Sequence, residues 1–206
     1  MSTLLAPAKH EPSTGDPGVT APLFRLTLDQ YHSMIRHGIF VDEQVELLDG
    51  LLVQKMAENP PHSLATRLLR QASEAIVPSG WFVDTQEPIT LLESEPEPDV
   101  TVVRGKPTDY AHSHPGPADL GLVVEVPDSS LSRDRSVKKA LYEQNGIPEF
   151  WILDLSRRVV EVFTLPQFGS AAGYPQSRTF EPTDRLPVTL DGTVVGDILV
   201  NTFLPT

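Results

Sequence analysis

The sequence predicts an α/β domain: a mixed β-sheet flanked by helices and preceded by a helix and a hairpin. Three observations carry that expectation. Residues 120–126 form an almost continuous apolar run, as in a strand covered on both faces. A basic, helix-like stretch over 134–144 follows it, and two more strand-like runs come next, at 150–154 and 159–163. The order strand, helix, strand, strand calls for a sheet with helices packed against it.

The elements follow in chain order. Residues 1–22 carry Pro7, Pro12, Gly15, Pro17, Gly18 and Pro22 without periodic hydrophobics, which predicts a loosely attached tail before a single domain over 23–206. Thr27 with Gln30 three residues on is a capping-box pattern and starts a helix to about Arg36. Residues 45–48 and 51–54 read as a hairpin, with Asp49-Gly50 as its two-residue turn. Pro60 and Pro61 open a second helix whose buried stripe is read as Leu64, Leu68, Ala72, Ala75 and Ile76. Short strands are expected at 82–83 and 89–91. Residues 84–99 hold six acids and no lysine or arginine. Of these, Glu93, Glu95 and Glu97 read as solvated surface. Asp99 differs, because it enters the β-branched run 100–103 directly after a proline.

Residues 106–117 read as a loop suited to a flap or crossover, with His112 and His114 in solvent. The helix at 134–144 is closed by Asn145-Gly146, with Pro148 just beyond. Small strands at 178–180 and 188–190 complete the chain.

Composition narrows the function. The 206 residues suffice for one sizeable core. No run reaches 18 apolar residues, so no membrane span is expected, and the first nine residues lack a signal-peptide pattern. The absence of cysteine excludes disulfides, thiolate zinc sites and cysteine nucleophiles, and a cytoplasmic protein is expected. The net charge of −12, from 28 acids against 16 lysines and arginines, opposes polyanion binding. A nucleic-acid substrate therefore requires a metal and a local basic patch, for which Arg133, Arg135, Lys138, Lys139, Arg157 and Arg158 are the candidates.

The chemistry concentrates at Asp99 and Glu125. An acid within a strand of valines is costly to bury unless something pairs with it. Hard cations take oxygen ligands converging from separate strands. Asp99, Glu125 and the backbone carbonyl of Val126 thus form a candidate site for Mg²⁺ or Mn²⁺, the ion offsetting the repulsion of two close carboxylates. Such an ion acidifies a water and stabilises charge developing on a phosphoryl oxygen. Lys138 is the candidate to orient that water or neutralise the transition state. On a helix, Arg135, Lys138 and Tyr142 share one stripe. Val137, Ala140 and Leu141 form the neighbouring apolar one, expected to dock on the sheet and leave Lys138 at the edge between core and solvent. The plainer readings stand beside these: Lys138 as an exposed helix lysine, Glu46 as a plain hairpin residue, His62 as a structural helix-start histidine rather than a substrate contact, Tyr142 and Trp151 as packing residues. The serine-rich segment 128–132 is either an ordinary turn or a loop ordered over the site.

Taken together, Pro98-Asp99-Val100, then Val123-Val124-Glu125-Val126, then Arg133-Asp134-Arg135 with Lys138 and Tyr142, then Gly146-Ile147-Pro148-Glu149-Phe150-Trp151, resemble the Uma-two family. Its members are grouped as endonucleases in the PD-(D/E)XK restriction-endonuclease-like superfamily. The similarity extends upstream to residues 46–50 and 60–63 and covers roughly residues 25–165. It implies a restriction-endonuclease-like mixed sheet flanked by helices, and a divalent metal held by Asp99 and Glu125. The superfamily lysine, two residues after the second acid, is replaced here by Pro127, and Lys138 on the following helix matches its displaced position. The resemblance also implies that Glu46 supports the metal or its waters.

The resulting expectation is a Mg²⁺- or Mn²⁺-dependent phosphodiester hydrolase acting on DNA, with Asp99, Glu125, Lys138 and Glu46 as its working residues. The alternative is a nuclease-fold binding or regulatory module with little or no catalysis. A homodimer through an exposed strand edge is the further expected partner.

Overall fold

The computed structural model describes residues 23–55, 58–127, 134–164 and 174–205. The tail over 1–22, the loop over 128–132 and Arg133 lie outside the described residues.

The first helix, α1 (Leu28–Arg36), starts at Thr27, whose hydroxyl accepts from Gln30 N–H while the Gln30 side chain accepts from Thr27 N–H. The hairpin follows as β1 (Val45–Leu48) and β2 (Leu51–Gln54). Its Asp49-Gly50 turn has φ of 49° and 72°, the two left-handed residues a type I′ turn requires. Helix α2 (Pro60–Glu74) begins after Asn59, whose side chain accepts from His62 N–H. Its most buried residues are His62, Ala65, Thr66, Leu69 and Ser73; of the expected stripe, Leu68, Ala72 and Ile76 are partly buried against the same core, whereas Leu64 and Ala75 are exposed.

The main sheet has six strands in the order β3 (Trp81–Asp84), β4 (Val100–Arg104), β5 (Leu120–Glu125), β6 (Glu149–Asp154), β7 (Val159–Thr164) and β8 (Gln176–Phe180). Every pair is antiparallel except β5–β6. A parallel pair needs a crossover. Here it contains a π-helical turn (Asp134–Lys138) and α3 (Lys139–Gln144), capped by Asn145 and by Gly146 at φ 71°. A hairpin of β9 (Arg185–Leu190) and β10 (Thr193–Leu199) completes the fold. Residues 89–91 are not a strand: the N–H groups of Ile89, Thr90 and Leu91 bond to the carbonyls of Pro96, Pro115 and Ser94.

Two apolar layers cover the sheet. Leu122, Val124 and Trp151 pack with α2 and the β9–β10 hairpin, whereas Val123, Phe150 and Ile152 pack with Leu141 and Tyr142 of α3. Glu125 follows Val123 by two residues, so it faces α3. The register pairs Val100 with Val124, which brings Asp99, just before β4, beside the end of β5. The acids therefore meet where β4 begins and β5 ends.

Candidate active site

Glu125 is 3% exposed, and its Oε1 accepts from Tyr142 Oη at 2.6 Å and Lys138 Nζ at 3.0 Å. The same ammonium lies 3.4 Å from Glu46 Oε2, which also accepts from Glu97 N–H. Glu46 and Lys138 are themselves 2% and 6% exposed. Lys138 was expected at the solvent edge but is buried, and Val137, expected to dock, is exposed. The π-turn accounts for this, because its wider winding rotates the helix face at the junction with α3 and turns Lys138 and Tyr142 onto the sheet. Tyr142 is fully buried, as expected of a packing residue, yet its hydroxyl also fixes Glu125.

Asp99 sits at the rim. Its Oδ2 accepts from Val126 N–H at 2.7 Å, which ties the start of β4 to the residue after Glu125. Its Oδ1 lies 3.0 Å from His62 Nε2, and the other ring nitrogen is 3.4 Å from Glu58 Oε2. One ligand atom from each of Glu58, His62 and Asp99 falls within 4.8 Å of the others, a set that could hold a metal ion. His62 and Glu58 were not among the expected site residues. The available signal was local: a histidine two residues into a Pro-opened helix, four after a glutamate.

The neighbouring acids are partly internal. Glu93 is exposed as expected, but Glu95 is buried, accepting from Thr90 Oγ1 at 2.9 Å and lying 2.7 Å from His32 Nε2. Glu97 pairs with Lys55. The isolated bridge between Leu47 and Glu95 draws this segment under β1, which is why it does not stay in solvent. Tyr31, donating to Val45 C=O, is pushed up to about 12 by burial and by the charges of Glu95, Glu97 and Glu46. Beside it, His32, Arg36, Glu95, Tyr110, His112 and His114 line a cavity of about 570 Å³.

The described residues of the expected basic patch are engaged with neighbouring groups of the chain. Arg135 binds Glu161 and Asp154, Lys139 lies near Glu143, Arg157 binds Glu161, and Arg158 donates to Pro205 C=O. Arg135 is held above the usual guanidinium range by its Glu161 bond. Burial pushes the Asp154 carboxyl up, but bonds from Ser156, Arg157 and Arg135 outweigh it and leave the group below its ordinary value.

The mixed sheet with its helical crossover has counterparts among known proteins. The family model for Uma2, described as "Putative restriction endonuclease", matches residues 28–194, and the chain belongs to that family. The solved structure of "a putative nuclease belonging to DUF820" from Anabaena variabilis ATCC 29413 superposes with a TM-score of 0.63. It is 16% identical, over 86% of this chain and 97% of that one, a likeness that shows the fold. No curated protein matches the sequence. Among the described residues, no helix is long and apolar enough to cross a membrane.

Proposed function

We propose that the chain is a metal-dependent endonuclease that hydrolyses phosphodiester bonds in DNA. The observation that supports this most is the buried meeting of Lys138 with Glu125 and Glu46, three residues distant in sequence. Buried ion clusters are poor sources of stability, and apolar replacements are often neutral or better. The two carboxyl groups also offer oxygen donors of the kind a hard cation takes.

In this reading Asp99, Glu125 and the Val126 carbonyl hold Mg²⁺ or Mn²⁺. The donor set fits a hard ion, and the reading is supported by the Val126 N–H bond to Asp99, which ties that acid to the residue after Glu125. When bound, the ion acidifies a water and offsets charge on the phosphoryl oxygen. Lys138 orients that water and neutralises the charge that develops in the transition state. Tyr142 fixes the Glu125 carboxylate, and Glu46 holds Lys138 and the waters behind it. The test is calorimetric titration with Mg²⁺. Wild type is expected to bind, and folded Glu125→Gln to lose both binding and cleavage. Equal Mg²⁺ binding by the two proteins would remove the assignment.

A second reading, a nuclease-fold binding or regulatory module, is favoured by the internal pairing of the basic residues. It predicts no cleavage of single-stranded, duplex or branched DNA with Mn²⁺.

A further inference from the structure

We propose that Glu58, His62 and Asp99 form a second metal site that selects a first-row transition ion over Mg²⁺. The inference rests on the reading above only in sharing Asp99. Its first support is ligand chemistry: imidazole suits transition ions, whereas Mg²⁺ is held by oxygen and water. Its second support is that both carboxylates are positioned by other groups and the histidine's backbone is fixed. His62 is 5% exposed, and its backbone N–H is held by the Asn59 cap at the start of α2. The second oxygen of Asp99 is fixed by Val126 N–H, and Glu58 Oε1 accepts from the Gln86 side chain. Supports of this kind orient ligands in metal sites. The imidazole now bridges two carboxylates that an incoming ion would share with it. Asp99 thereby belongs both to this trio and to the acid pair of the reading above, and its second oxygen meets the N–H of the residue after Glu125.

Pulsed electron paramagnetic resonance of Mn²⁺ reads a directly bound nitrogen as ¹⁴N modulation of the echo. Wild type and Glu125→Gln are expected to show that modulation, and a tenfold excess of Mg²⁺ to leave it in place. His62→Gln is expected to abolish it and to weaken Mn²⁺ binding by at least about tenfold. Glu58→Gln, at a part-exposed side chain before the helix, should weaken binding without disturbing the fold. Absence of ¹⁴N modulation in folded wild type, or its survival in His62→Gln, would overturn the proposal. The endonuclease reading fails separately, by undiminished cleavage in Glu125→Gln or none in wild type, and neither result touches the ¹⁴N signal.

Discussion

Lys138 carries the largest stake of any single side chain, because its ammonium is the partner of two buried carboxylates. Removing one member of a buried ion cluster leaves uncompensated charge at a cost of about 3–5 kcal/mol. Lys138→Met should therefore lower denaturant-unfolding stability by that order, and an unchanged midpoint would mean the cluster is hydrated. Glu149 makes a different case. It is 5% exposed, and although Trp151 Nε1–H donates to it, burial raises its carboxyl from 4.5 to about 7. A raised carboxyl means the folded state binds the proton more tightly than the unfolded chain. This group's contribution is then full below about pH 4.5, falls as pH rises to about 7, and is flat above. Glu149→Gln should remove that slope and stabilise the protein at pH 8 by up to about 3 kcal/mol. Urea titrations at pH 5 and 8 read the difference. Asp99 and Glu125 were legible as special residues, since acids within valine runs violate the pattern of a core strand. Glu58 and His62 were not, because only the packing of α2 against the start of β4 sets them beside Asp99.

At the level of elements, the capping box of α1, the Asp49-Gly50 turn and the Gly146 stop were all readable, because each is fixed by chemistry within four residues. The strand order 120–163 was readable for the same reason. The face of a helix is harder, since its exact rotation depends on the partner surface; the crossover helix turned from expectation, and α2 kept Leu68, Ala72 and Ile76 on the core while exposing Leu64 and Ala75. The expected strand at 89–91 became a bonded loop because its N–H groups found partners outside any ladder. Gly121 sits at the register shift in β5, and a Cβ there would meet Leu190 Cδ2 at 2.4 Å and Trp81 Cζ3 at 2.9 Å. Gly121→Ala should cost about 1–3 kcal/mol by overpacking the sheet against the β9–β10 hairpin. A change below 0.5 kcal/mol would show that the hairpin yields there. Asn59→Ala removes the cap of α2 and should cost about 1 kcal/mol while loosening His62, read together by urea unfolding and Mn²⁺ affinity.

For the whole molecule, the excess of acids shapes how any polyanion is met. Among the described residues, Arg135, Lys138, Lys139 and Arg157 of the expected patch are paired with carboxylates of the chain, which leaves them less able to displace counterions from a duplex. Affinity for DNA should accordingly be weak without a divalent ion and depend shallowly on salt. The fold was legible as a whole because its strands and crossover announce themselves. The substrate was not, because a net charge of −12 gives no outline of a basic surface for a polyanion. The most direct measurement is cleavage of labelled single-stranded, duplex and branched DNA with Mn²⁺, resolved on a gel, by wild type and Glu125→Gln. The account predicts metal-dependent nicking by wild type, abolished by chelator and by the substitution. Intact DNA with wild type under all conditions, or equal cleavage by Glu125→Gln, would contradict it.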